Sequence, residues 1–204
     1  MSRAGEFRVD VHLGADQLTA ALRRDAVRGL TSVPKQLEPV WFYDKRGSDL
    51  FEDITRLPEY YPTRREREIL DRESHTIASL SRPETLVELG SGSSRKTRLL
   101  LDACAAQGTL RRFVPLDVSE SALREAGSAI SADYPTLDVH ALVADFNRDL
   151  AHIPGGGRRL VAFLGGTIGN LTPDRRREFL ADLARTLDPG DSLLLGADLV
   201  KDPT

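Results

Sequence analysis

One stretch restricts what this 204-residue chain can fold into more than any other: Thr85 to Arg98, TLVELGSGSSRKTR. Leu86-Val87-Glu88-Leu89 is a short, nearly continuous apolar run, the pattern of a strand buried on both faces. Gly90-Ser91-Gly92-Ser93-Ser94 breaks it, and a helical pattern resumes with Leu99, Leu100, Leu101 and Cys104. Strand, glycine-rich turn and helix in that order open a nucleotide-type binding site. Glycines let a ligand approach the backbone, and free N–H groups at a helix start hold polar or anionic groups. The match to a dinucleotide fingerprint is incomplete, because Arg95 stands where a third glycine belongs. Glu88, two residues before Gly90, and the ends of the next two strands strengthen the signal.

Downstream, strand and helix alternate, which predicts an α/β fold with a doubly wound, mostly parallel sheet. Arg112 to Leu116 forms the second strand and ends at Asp117. The following helix is capped by Ser119, turns Leu123, Ala126 and Ile130 inward, and closes at Tyr134-Pro135. A third strand, Val139 to Val143, ends at Asp145-Phe146. The fourth, Leu160 to Leu164, runs into Gly165-Gly166-Thr167-Ile168-Gly169-Asn170. Thr172-Pro173-Asp174 starts a helix bearing Phe179, Leu180, Leu183 and Leu187, and a fifth strand spans Ser192 to Leu195. The sequence stops soon afterwards, at Lys201-Asp202-Pro203-Thr204, where a sheet of this class often adds one or two strands. The expectation is an incomplete C-terminal part.

Upstream, residues 1–10 are polar and read as frayed. Asp16 caps a helix to Leu30, with Leu18, Leu22, Ala26 and Leu30 inward and Arg23, Arg24 and Arg28 outward. The segment Pro34 to Pro39 ends it. Ser48 or Asp49 starts a short helix carrying Leu50, Phe51 and Ile54, stopped by Pro58. Thr63-Arg64-Arg65-Glu66 forms a capping box for a helix to about Leu80, with Ile69, Leu70, Ile77 and Leu80 inward. Helix and loop thus precede the first strand. That divides the chain into a helical, lid-like region at residues 1–80 and a nucleotide-binding domain at residues 81–204.

In an open α/β sheet, ligands bind beyond the carboxyl ends of the strands, near the reversal of strand order. There Asp117 can accept both hydroxyls of a ribose. Asp145 can accept from an adenine amino group, and Phe146 offers an apolar face to the ring. Each acid alone would merely cap its loop; two on consecutive strands after Gly-x-Gly favour a nucleoside site. Asp117 lies 27 residues past Gly90, loosely compatible with a dinucleotide. The lost third glycine and the second acid favour S-adenosylmethionine, which has no pyrophosphate to cradle, over NAD. Asn170 either orients a polar substrate through its amide or is a loop asparagine tolerating positive φ. Tyr60 and Tyr61, between Pro58 and Pro62, either wall a small-molecule pocket or plug the join between appendage and sheet. Tyr43 has the same two readings.

Composition excludes several alternatives. A formal charge of −3 offers no electrostatic reason to expect nucleic acid. Cys104 stands alone, which rules out an intramolecular disulfide, and its apolar surroundings read as a core thiol. His12, His75, His140 and His152 lack metal-ligand spacing. No run reaches the ~20 apolar residues of a membrane span, and the N-terminus lacks a signal-peptide pattern. The expectation is a cytoplasmic protein without membrane or nucleic-acid partners.

Four segments resemble a known family: PKQLEPVWFYDKRGSDLFEDITRLPEYYPTRREREIL, TLVELGSGSSRKTRLLLDA, FLGGTIGNLTP and GDSLLLGADLVKD. They are similar, from about Leu18 on, to the bacterial L-histidine Nα-methyltransferases of ergothioneine biosynthesis. The resemblance implies a Rossmann-like class I methyltransferase that uses S-adenosyl-L-methionine as methyl donor. It implies three methylations of the α-amino group of free L-histidine, giving hercynine. It places Gly90 and Lys96 at the donor, Asp117 at the ribose, and Asp145 with Phe146 at the adenine. Tyr60 and Asn170 would bind histidine, with Tyr43 close to the amino group, taking a proton or only hydrogen-bonding. A further tyrosine and an acid/serine pair that read the imidazole belong to a later part of family members. A monomer is expected. The rivals are a family member acting on another amino acid or histidine derivative, an NAD-dependent oxidoreductase, and a donor-binding module without turnover.

Overall fold

The computed structural model describes residues 4–199. The closing residues of the GDSLLLGADLVKD segment, from Val200 on, lie outside the described residues. The centre is a six-stranded parallel sheet in the order β1-β4-β3-β2-β5-β6. Its strands are β1 (Phe7–Val11), β2 (Thr85–Leu89), β3 (Arg112–Asp117), β4 (Asp138–Val143), β5 (Arg159–Phe163) and β6 (Ser192–Leu195). The helices are α1 (Ala15–Thr31), α2 (Lys45–Ile54), α3 (Tyr61–Ser81), α4 (Thr97–Ala106), α5 (Glu120–Asp133) and α6 (Pro173–Thr186). None is long and apolar enough to cross a membrane.

Every residue of β2 is buried, because both faces of the sheet are covered. Leu86, Phe113, Val139 and Leu160 meet Leu70 and Ala78 of α3, Leu100, Leu101 and Cys104 of α4, and Ile130 of α5. The alternate residues Val87, Val114, Leu142 and Val161 meet Phe179 and Leu183 of α6. Strand alternation directs neighbouring side chains to opposite layers, as a doubly wound sheet requires.

Sequence expectation and structure part at the N-terminus. Residues 7–11 are not frayed: they form β1, paired with β4 from Phe7 opposite Val139 to Val11 opposite Val143. Phe7 and Val9 pack on Leu123, Ala141 and Val143. Arg8 bonds His140 Nδ1 at 2.9 Å, and His140 Nε2 meets Asp10 at 2.7 Å. A short edge strand needs only two apolar residues, so overall polarity concealed the alternation in FRVDV.

The helix boundaries and faces also move. Asp16 lies in the first turn of α1, after the N-cap Gly14, where it suits the positive helix end without being the cap. The buried stripe of α1 is Ala21, Asp25 and Gly29, while Leu22 and Leu30 are exposed. Two long-range ties choose that face. Asp25 accepts from Arg28 and from Trp41 Nε1, and the returning chain bonds Gln36 N–H to Gly29 O, where a Cβ would lie 2.0 Å from Gln36 O. Helix α2 starts before Ser48, with Asp44 as cap accepting from Gly47 N–H at 2.7 Å. Helix α3 starts at Tyr61, so Thr63 is already helical and no capping box forms. Leu70, Ser74, Ala78 and Ser81 face inward; Ile69 and Leu80 are exposed.

Candidate active site

The chain runs from β2 outward through β3 to β4, then returns to add β5 and β6 on the other side of β2. The reversal falls at β2, so its carboxyl end is the place where this architecture opens a crevice. The glycine turn emerges there. Gly90 and Ser91 both donate to Leu116 O, at 2.8 and 3.1 Å, which turns the chain sharply off the strand. Gly90 and Gly92 take φ of +69° and +49°, a region glycine enters without steric cost. A Cβ on Gly90 would lie 3.8 Å from the Phe146 ring. The turn thus rests against Phe146, which meets Phe163 and Phe179 edge-on at 5.2 and 5.7 Å.

Asp117, at the end of β3, accepts from Gly92 N–H at 3.0 Å and from Ser119 N–H at 2.9 Å, one on each oxygen. Burial pushes its carboxyl above the ordinary range, against the pull of backbone N–H groups. A carboxylate has about four acceptor sites, so Asp117 shapes the turn and keeps capacity for a ligand. Asp145 Oδ1 accepts from the backbone and side-chain nitrogens of Asn147, both at 2.9 Å. Its Oδ2 lies 3.6 Å from Arg148. Both acids therefore do cap loops, and neither is exhausted by it.

Glu88, buried in β2, accepts from Thr97 through Oε1. Its Oε2 and the buried hydroxyls of Ser91 and Ser94 have no hydrogen-bond partner among the described residues. Burial pushes the Glu88 carboxyl up to about 7. Orphaned buried polar atoms are rare because each costs about 1–3 kcal/mol. Three of them around one glycine turn fit a polar ligand at that turn.

Lys96 is the N-cap of α4, and its ammonium pairs with Glu66 of α3. Glu66 Oε1 accepts from Gly165 N–H, just beyond β5, at 2.7 Å. Sequence reasoning assigned Glu66 to a capping box and missed this role, since no local pattern announces a carboxylate that leaves its own helix. Tyr43 and Tyr60 flank Phe51 of α2 with ring centroids at 5.7 and 6.0 Å. Burial raises both phenols; Tyr60 and Asp117 add to the effect on Tyr43, and Glu66 to that on Tyr60. Helix α2 also reaches the glycine turn, where Glu52 accepts from Ser93 Oγ at 3.0 Å and pairs with Arg95 at 3.3 Å.

The structure thus gathers Gly90, Asp117 and Phe146 around the turn, Lys96 beside Gly165, and Tyr43 with Tyr60 through Phe51. Asn170 is exposed and ends the short 3-10 turn Thr167–Asn170. It is not held at positive φ: among the described non-glycine residues only Arg82 and Ser94 are. No hydrogen bond or ring contact among the described residues joins Asn170 to the other candidates.

The architecture and its crevice define a class I S-adenosylmethionine-dependent methyltransferase fold. A solved structure of the magnesium protoporphyrin IX methyltransferase of Synechocystis PCC 6803, with bound S-adenosylhomocysteine, superposes with a TM-score of 0.51 at 18% identity, covering 72% of this chain and 65% of that one. Residues 22–204 match the histidine-specific, S-adenosylmethionine-dependent methyltransferase family, and the chain belongs to it. It is 60% identical over 191 residues to the histidine N-alpha-methyltransferase of Mycolicibacterium smegmatis and 58% identical over 191 residues to that of Mycobacterium tuberculosis. Each comparison covers 94% of this chain, which spans about 60% of the length of either relative.

Proposed function

We propose that this chain carries the donor site and the amine-facing wall of an S-adenosylmethionine-dependent N-methyltransferase. Its acceptor is the α-amino group of L-histidine, methylated three times to hercynine in ergothioneine biosynthesis. The observation that carries the donor site is the orphaned polar set of Glu88, Ser91 and Ser94 beneath a glycine turn tied to Asp117. The relatives' names support histidine as acceptor.

The donor supplies a methyl group activated on a sulfonium. This chain's residues then bind and orient. Gly90 and its turn leave room at the switch point, Asp117 takes the ribose hydroxyls, and Asp145 with Phe146 takes the adenine. Lys96 offers a cation to an anionic group. Tyr60 and Asn170 hold histidine, and Tyr43 faces the amine. Because burial raises the Tyr43 phenol above its ordinary value, Tyr43 keeps its proton at neutral pH and orients the amine by hydrogen bonding. A half-dry pocket favours the neutral amine, and holding it in line accounts for much of the acceleration. Residues 1–80 supply the substrate-side wall. The same reading makes the protein a cytoplasmic monomer with a small-molecule substrate and no nucleic-acid or membrane partner.

Calorimetric titration with S-adenosylhomocysteine tests the donor site. The parent is expected to bind saturably, and Asp117→Ala and Asp145→Ala each to lose about 1–3 kcal/mol, the usual worth of a hydrogen bond to a charged group. A folded parent that does not bind, or binding indifferent to both changes, overturns the assignment. With a chain extended past Thr204, trimethylated histidine is the expected product; methylation of a different amino acid instead would replace the acceptor and leave the donor site standing.

A further inference from the structure

Glu66 sits about one turn into α3, yet its carboxylate serves two other elements. One oxygen accepts from Gly165 N–H beyond β5 at 2.7 Å; the other pairs with Lys96 at the start of α4. The side chains of Glu66 and Lys96 are only 15% and 23% exposed, so this is not a solvent-screened surface pair. Gly196, just past β6, makes room for it: a Cβ there would stand 2.1 Å from Glu66 Oε1. The Glu66 charge also reaches Tyr60, whose phenol it raises after burial. Taking a carboxylate out of water is costly unless it is paired and hydrogen-bonded, and here both oxygens are used to join segments distant in sequence.

We propose that Glu66 is a positioning residue that locks α3, with Tyr60 at its head, to the donor side of the site. One oxygen fixes the Gly165 turn leading to Asn170, and the other holds the Lys96 ammonium at the crevice. This rests on the proposed reading of Lys96, Tyr60 and Asn170 as site residues.

Two variants separate the two bonds. Glu66→Gln keeps an amide oxygen for Gly165 N–H and loses the charge against Lys96; Glu66→Ala loses both. In hydrogen exchange without ligand, amides over residues 164–170 should exchange about tenfold faster in Glu66→Ala and near the parent rate in Glu66→Gln, with β2, β3 and β4 unchanged in both. In titrations with S-adenosylhomocysteine, Glu66→Gln should bind about tenfold more weakly, and the double variant with Lys96→Met no more weakly than Lys96→Met alone. Unchanged exchange over 164–170 in Glu66→Ala would overturn the proposal. So would acceleration spread across the whole sheet, or additive losses in the double variant. If the parent does not bind S-adenosylhomocysteine, the donor-site reading falls, while the exchange pattern still decides whether Glu66 locks the turn.

Discussion

Glu88 shows how much chemistry one burial event confers. Its position before Gly90 is plain in the sequence, but its ionisation depends on being enclosed. Burial disfavours the charged form most, and Asp117 from β3 adds to that; Thr97 and, from the start of α4, Lys96 favour the charge without offsetting it. With a folded value of about 7 against an ordinary 4.5, the folded chain keeps a proton that the unfolded chain has already released. Stability therefore falls as pH rises through that window, by about 3 kcal/mol in full. Glu88→Gln removes the linkage, so the variant should gain on the parent between pH 5 and pH 8 in urea unfolding. A parent-to-variant difference that stays flat across that range would mean Glu88 ionises normally in the fold.

Among the elements, the β5–β6 pair depends on a buried charge. Arg159 is 4% exposed; it meets Asp191 at 2.6 Å and Asp188 at 3.1 Å and donates to Thr186 O. Burial would raise the Asp191 carboxyl, but the Arg159 guanidinium and two backbone N–H groups overcome it and hold it below its ordinary value. Asp191→Ala strands the guanidinium and should cost about 3–5 kcal/mol in chemical denaturation, the usual loss when one partner of a buried pair is removed. A loss below 1 kcal/mol would show that Asp188 and Thr186 suffice. Elements with strong local signals were legible. Ser119 caps α5, accepting from Ala122 N–H at 3.4 Å, and Thr172 caps α6 in the same way at 3.4 Å. Strands β2 to β6 fall where apolar runs and turn residues place them. What misled was a local pattern with a distant competitor. Thr63 to Glu66 has capping-box spacing, yet Pro62 already suits the first turn, and Glu66 finds better partners in Gly165 and Lys96.

At the scale of the whole molecule, the N-terminal segment is woven into the fold. It contributes β1 to the sheet and brings Glu52 to the glycine turn. A ligand at the switch point should therefore stabilise the whole chain. S-adenosylhomocysteine at 100 times its Kd should add about 2.7 kcal/mol, raising Tm by about 5–10 °C for a chain of this size. Asp117→Ala should show a much smaller rise at the same ligand concentration. An equal rise in parent and variant would place the ligand away from Asp117.

The sequence by itself determined the strand–turn–helix at Thr85 to Arg98, the alternation that follows, and the acids at the ends of β3 and β4. Those features rest on interactions within a few residues: apolar runs, glycines at turns, hydroxyl caps. Only the tertiary structure decided that FRVDV is an edge strand, which faces α1 and α3 bury, that Glu66 spans three elements, and that burial raises the Glu88 carboxyl above its ordinary range. Each of these depends on neighbours far along the chain and on water excluded by them, and neither is written in local spacing.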